Sequence, residues 1–231
     1  MPYLKNLKTT ELKNYSKAIL PFGATEQHGP FLPLGTDSLV MEGVLKRIDT
    51  LDKNTVILPT LEITCSREHA GFVGTAWISE QTLFSYIKDV VESVSDTFSQ
   101  IYLLTTHGGN VQTLSNFAKE FPSYKGVKIY YIDTEVPQID DILNNKLDGG
   151  PIDEHAGNLE ISIVYSLYPD LVKLPPKDYP KPKIDMDWSN PVISQSKTGI
   201  VDNNPKWIIS KELGETFVEL VANYVVEVVN A

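Results

Sequence analysis

Apolar residues along this chain fall into short solid runs and longer spaced stripes, and the two kinds alternate. Lys17-Ala-Ile-Leu-Pro-Phe, Thr55-Val-Ile-Leu-Pro, Gln100-Ile-Tyr-Leu-Leu-Thr-Thr and Gly126-Val-Lys-Ile-Tyr-Tyr-Ile are short runs, as expected of strands buried on both faces. Between them the period lengthens to that of a helix. Residues 38–48 carry Leu39, Val40, Val44, Leu45 and Ile48, and residues 79–98 carry Leu83, Ile87, Val90, Val91, Val94 and Phe98. Further helices are predicted over about 110–121 and 158–167. The last, over 211–229, is the most strongly patterned, with Leu213, Phe217, Leu220, Val221, Tyr224, Val225 and Val228. Residues 1–16 read as an approach segment and 134–157 as loop. The proline-rich stretch 169–191 reads as an extended surface excursion. Strands alternating with amphipathic helices predict an α/β fold, a three-layer sandwich with a mainly parallel sheet flanked by helices. No repeat and no second core is evident, so residues 1–231 are expected to form a single domain.

Composition narrows the classes of partner. A hydrophobic fraction of 42% with 22% charged residues is that of an ordinary globular protein. No apolar run approaches the roughly 18 residues of a membrane span, and the first residues are too polar for a signal peptide. The single cysteine, Cys65, excludes an internal disulfide, fits a reducing, cytoplasmic setting and reads as a small buried thiol. A net charge of −10 argues against nucleic acid or an anionic membrane as partner.

Candidate chemistry gathers in the loops. The stretch from Leu20 to Asp37 reads LPFGATEQHGPFLPLGTD and sets Glu26, His28 and Asp37 in a stiff Gly/Pro loop between a strand and a helix. That is a metal-binding proposition; a plain turn with incidental polar residues, and Asp37 as a helix N-cap, is the alternative. The histidines tip the balance. All four, His28, His69, His107 and His155, lie in glycine-bearing polar loops, and three follow a glutamate by one or two residues. Imidazole with carboxylate suits zinc, manganese or iron(II) rather than calcium. His107 opens His-Gly-Gly-Asn at a helix start, where Gly108, Gly109 and Asn110 offer donors for an oxyanion or phosphate, or simply a tight turn with Asn110 as N-cap.

In order and spacing these motifs resemble the creatininase family of creatinine amidohydrolases and their relatives. The matching residues are Gly23-Ala-Thr-Glu-Gln-His-Gly-Pro with Leu32-Pro-Leu-Gly-Thr-Asp, Glu68-His69 with Phe72-Val-Gly-Thr75, His107-Gly-Gly-Asn110, and His155-Ala-Gly followed by Glu160. The resemblance implies an α/β sandwich with two divalent metal ions per chain (Zn, Mn or Fe(II)) in a homo-oligomer, commonly a hexamer. It implies Glu26 and His107 as ligands of one ion, His28 as a ligand of the other, and Asp37 as the bridge between them. Creatininase itself has a glutamate two residues after the histidine that matches His107. Gly109 stands there in this chain, so Glu160 is expected to complete the second ion's ligands. His155 matches the family's catalytic histidine. Glu68 and His69 match a further motif whose residues would orient ligands or line the substrate pocket.

The implied reaction is hydrolysis of a non-peptide amide C–N bond in a small molecule, with no covalent enzyme intermediate. Creatininase proper has tryptophans on the loop before its catalytic histidine; residues 134–154 contain none, which disfavours creatinine. Relatives of the HGGN type include a formamidopyrimidine ribonucleotide deformylase of flavin and deazaflavin biosynthesis and a mycofactocin precursor peptidase. The short chain leans toward the deformylase, with Arg67 and Lys53 as candidates for its phosphate. A non-catalytic metal-binding scaffold is the alternative of another class, suggested by Gly109 and Asn158 where relatives often carry glutamate.

Overall fold

The structure is a computed structural model and describes residues 2–48, 53–134, 137–181 and 183–231. Five strands form one sheet: β1 (Lys17–Phe22), β2 (Thr55–Ile57), β3 (Gln100–Thr105), β4 (Ser123–Tyr124) and β5 (Val127–Ile132). Their order is β2-β1-β3-β5-β4, all neighbours parallel except the edge pair β4–β5. The helices are α1 (Thr36–Arg47), α2 (Glu80–Ser93), α3 (Gly108–Glu120), α4 (Pro137–Lys146), α5 (Asn158–Leu167), the short α6 (Val192–Gln195) and α7 (Lys211–Asn230).

Side chains alternate across the pleat, so each central strand feeds two cores. Ile19, Tyr102, Leu104 and Ile132 pack toward α1, α4, α5 and α7. Leu20, Phe22, Leu103 and Val127 pack toward α2 and α3. The helix–sheet–helix layering inferred from the apolar pattern is therefore present. On the larger face α7 lies hard against α5 because Gly214 has no side chain; a Cβ there would collide with the Ser162 carbonyl.

Three boundaries differ from the sequence reading. Residues 134–157 contain α4 rather than loop alone: Ile139, Leu143 and Leu147 bury a stripe only one residue wide, which the surrounding Asp and Asn residues mask in sequence. Positions 135 and 136 of that stretch lie outside the described residues. The helix read over 79–98 stops at Ser93, and Phe98 reaches the core from the turn that follows. The edge strand β4 carries no apolar run of its own and is held by pairing with β5. Among the described residues no helix is long and apolar enough to cross a membrane.

Candidate metal centre

From β1 the chain moves first to β2 on one side and then to β3 on the other. The order therefore reverses between β1 and β3, where parallel sheets open a crevice beyond the strand ends. Glu26 and His28 follow β1, and His107 follows β3. Glu68 and His69 lie on a single 3-10 turn, Arg67–His69, after β2. His155 lies three residues before α5, and Glu160 is in its first turn. These side chains converge with Asp37 in the crevice.

Several local devices hold this arrangement. Asp37 is not an N-cap: α1 starts two residues earlier than the apolar stripe suggests, with Gly35 as its cap, and Asp37 lies in the first turn. Its carboxylate is thereby free of capping, and Thr106 Oγ1 donates to its carbonyl, tying α1 to the end of β3. Asn110 likewise does not cap α3; His107 holds that position. The fully buried Asn110 amide accepts from the Cys65 N–H and donates to the Gly23 carbonyl and Thr105 Oγ1, bracing three loops at once. Its donors are committed inside the protein, whereas Gly108 lines the cavity. At the start of α5, Asp153 accepts from the Gly157 and Leu159 N–H groups, and Ala156 takes the left-handed conformation (φ 55). That turn carries His155 and Glu160 into the crevice together.

Glu26 and Asp37 form the floor. His107 Nε2 lies 3.3 Å from Glu26 Oε2, and its Nδ1 lies 3.9 Å from Asp37 Oδ2. His28 Nε2 is 3.7 Å from both Asp37 Oδ2 and Glu160 Oε1. Four donor groupings have atoms within 4.8 Å of one another: Glu26–Asp37–His107 and His28–Asp37–Glu160 share Asp37, and Glu26 also groups with His28 and His155 and with Glu68 and His69. Ligands about 2.0–2.1 Å from a tetrahedral zinc ion stand roughly 3.4 Å apart, close to these separations. Both carboxylate oxygens of Glu26, Asp37 Oδ2 and His28 Nε2 are buried without a hydrogen-bond partner. Such orphans are costly unless a cation answers them, so the residues present fit metal ions.

Carbonyls set the imidazole tautomers, because a carbonyl can only accept. His28 Nδ1 donates to the Glu26 carbonyl, which turns Nε2 toward the Asp37 and Glu160 carboxylates. His107 Nε2 donates to the Cys65 carbonyl, leaving Nδ1 for Asp37. His155 Nε2 donates to the Gln27 carbonyl, leaving Nδ1 toward Glu26 at 3.7 Å. The Gln27 amide donates to the Gly199 carbonyl and to His69 Nδ1, so His69 presents its Nε2–H to Glu26 Oε1 at 3.4 Å. Gln27 is thus a site residue that motif reading passed over, although it lies between Glu26 and His28. Its room depends on Gly199, where a Cβ would overlap the Gln27 amide.

Protonation follows from the same contacts. Burial pushes the Glu26 carboxyl up to about 8, and it raises Asp37 as well. Burial opposes charge on His28, yet Asp37 and Glu160 beside it lift it to about 10. Burial would raise Glu160, but His28 brings it down to about 2. His155 is held down to about 3 by burial and by His28, which keeps it neutral. His69 is also driven far down, by burial and by His155. The floor therefore calls for positive charge while His155 stays a neutral base. Cys65 is no nucleophile, since burial pushes its thiol up to about 11.

The floor opens into a cavity of about 590 Å³. Glu68 projects into it, with Oε1 3.5 Å from His107 Nε2. Gly109 makes this possible: a side chain there would strike the Cys65 carbonyl and Glu68 Oε1, so Glu68 fills space that a residue at 109 would need. The outer wall comes from the proline-rich excursion, whose Trp188 lines the cavity and donates through Nε1 to Glu154 Oε2 at 2.9 Å. Reciprocal backbone hydrogen bonds between His155 and Val201 close the neck of this excursion. Neither phosphate candidate joins the cavity. Arg67 is absent from its lining and lies over the Trp77 ring instead, and Lys53 precedes β2, at the opposite end of the strands.

The family model described as creatininase, creatinine amidohydrolase, matches residues 5–229. A mycofactocin precursor peptide peptidase from Mycolicibacterium smegmatis is 31% identical over 157 residues, which are 66% of this chain and 58% of that protein. This chain thus spans less than two thirds of that relative's length. Among solved structures, the manganese form of creatininase superposes with a TM-score of 0.71 at 19% identity, covering 98% of this chain and 96% of the other. The Zn-Zn form of a creatininase point variant gives 0.70, also at 19% identity and with the same coverage.

Proposed function

The chain belongs to the creatininase family, and we propose that it is a metal-dependent amidohydrolase that cleaves a non-peptide C–N bond in a small molecule. The observation that carries this reading is the pair of donor sets sharing Asp37, with four buried atoms left unpartnered. Glu26, Asp37 and His107 would hold one divalent ion, and His28, Asp37 and Glu160 the other. When bound, such a pair acidifies a water and polarises a carbonyl oxygen.

The remaining work falls to the chain's own residues. His155, neutral and with Nδ1 bare, takes a proton from the attacking water and returns it to the leaving nitrogen. Gln27 holds that imidazole in register through its carbonyl. Glu68 and His69 keep Glu26 and His107 oriented. No serine or cysteine nucleophile is required.

A formamide is the simplest substrate that fits this scheme. The ribonucleotide version of that reading lacks support, because the cavity gives a phosphate no Lys or Arg among the described residues. Peptide cleavage is the second reading, favoured by the 31% identity to the mycofactocin peptidase. We also propose a homo-oligomer, a hexamer by analogy, which light scattering would size.

The deciding experiment measures bound metal on the purified protein and then hydrolysis of formamides, cyclic amides and short peptides with zinc or manganese added. Two ions per chain and release of formate or amine are expected. Less than one ion per chain with no metal-stimulated hydrolysis would leave the scaffold reading in its place.

A further inference from the structure

Charge around the cavity is one-sided. Seven carboxylates line it and, among the described residues, no Lys or Arg does. Four of them, Glu26, Asp37, Glu68 and Glu160, surround the two donor sets and would be balanced by the four positive charges of two divalent ions. Asp153 is engaged by the α5 amides and pushed up to about 7, burial being the main cause. That leaves Glu80, the first residue of α2, and Glu154, both exposed at the mouth, with the Trp188 indole bonded to the latter. Two exposed carboxylates lining one cavity, with an indole against Glu154 and no Lys or Arg among the described lining residues, are a setting that attracts cations and repels anions, in a cleft that focuses the field.

We propose that Glu80, Glu154 and Trp188 select a substrate whose end remote from the scissile amide carries a positive charge, an ammonium or alkylammonium group. This deepens the amidohydrolase reading and rests on it. Ions held by the Glu26–Asp37–His107 and His28–Asp37–Glu160 sets would supply the pull on the amide carbonyl, and the outer wall receives the cation. Helix α2 fixes Glu80, while Glu154 lies one residue before His155, so the cation site and the reacting site are coupled through a single short segment. An amide bearing a phosphate or carboxylate at that end meets both glutamates and is turned away.

The test uses three formamides of matched length on the zinc-loaded protein: 2-(trimethylammonio)ethyl formamide, its neutral 3,3-dimethylbutyl isostere and 2-sulfonatoethyl formamide. The quaternary nitrogen cannot ligate the metal, so any preference reports the outer wall. The expected kcat/KM falls on the order of tenfold at each step from cation to neutral to anion, and the steps shrink as salt is raised. In Glu80→Gln/Glu154→Gln the cation-to-neutral ratio drops toward one while bound zinc stays at the parent level. Hydrolysis with no charge preference, or with the anion preferred, overturns the selectivity and leaves the amidohydrolase reading standing. If none of the three is hydrolysed, calorimetry with the same compounds decides: tighter binding of the cation than of its isostere upholds the selectivity, and equal binding overturns it. Turnover and binding thus separate failure of the reaction from failure of the selection.

Discussion

Glu26, on the floor of the cavity, is fully buried, follows a central strand by four residues, and has no hydrogen-bond partner for either carboxylate oxygen. Glu154, on the outer wall, is exposed and held by one hydrogen bond from the indole of an irregular segment. Both are glutamates lining one cavity. The floor is positioned by strand ends, helix first turns and braces such as Asn110, and its carboxyl groups are pushed from their ordinary range by burial. The Trp188 segment of the wall is closed at its neck by the isolated His155–Val201 bridge, and the wall leaves its carboxylates, Glu80 and Glu154, in water. Rigid, desolvated parts suit holding an ion, and solvated loop-borne parts suit choosing among substrates.

Breaking the floor should produce the largest effects. Asp37→Ala removes the residue common to both donor sets, so metal analysis should find neither ion retained and activity down by at least about 10³, several kcal/mol of transition-state stabilisation. Glu160→Ala should lose mainly one ion, with activity lower by roughly 10²; metal content equal to the parent's would remove Glu160 from the ligand set. Next comes Gly199→Ala, far from any ligand in sequence. Its methyl displaces the Gln27 amide, freeing the His69 ring and shifting the residue whose carbonyl holds His155, and kcat should fall about 10- to 100-fold while both ions remain bound.

A fourth test reads the floor through pH. In the metal-free protein Glu26 titrates near 8 and His28 near 10, both above their unfolded values. Each therefore contributes stability that is fully present below its unfolded pKa and is lost as pH rises through its folded one. Thermal melts of metal-free protein should fall by several degrees from pH 6.5 to 9, and saturating zinc should flatten the slope. His155 runs the other way. Its folded pKa near 3 lies below the unfolded value, so its contribution is lost as pH drops below about 6.5. The smallest effect belongs to the wall: Trp188→Phe keeps an aromatic ring but loses the bond to Glu154, and should change KM by only about two- to fivefold with kcat near the parent's.

The same contrast explains what could be read from sequence. Solid apolar runs and helical stripes placed β1, β2, β3, β5, α1, α5 and α7 closely, because burial on both faces of a parallel sheet writes itself into composition. The floor residues were legible as a group because imidazoles and carboxylates in glycine loops are rare outside sites. Gln27 was not, since an amide has no titration or ligand signature and its role comes from Gly199, distant in the chain. Trp188 was not either. The loop before His155 holds no tryptophan, and the ring that reaches the cavity arrives instead from the proline-rich stretch, whose composition says nothing about where it folds back. Capping was the alternative weighed for Asp37 and a use offered for Asn110, because a polar residue near a helix start has a bland local use; only the folded helix starts show that the local use is declined.

The paired backbone hydrogen bonds between His155 and Val201 carry one more implication. They act as a clasp: whatever length of chain runs beyond α5 before returning at Val201, the backbone of His155 is pinned from behind. Lengthening a loop with fixed ends costs little, about 0.6 kcal/mol for each doubling. The wall segment of this chain could therefore be lengthened or re-sequenced at little cost while the donor sets of the floor stay where they are. New substrates could be tried without dismantling the chemistry.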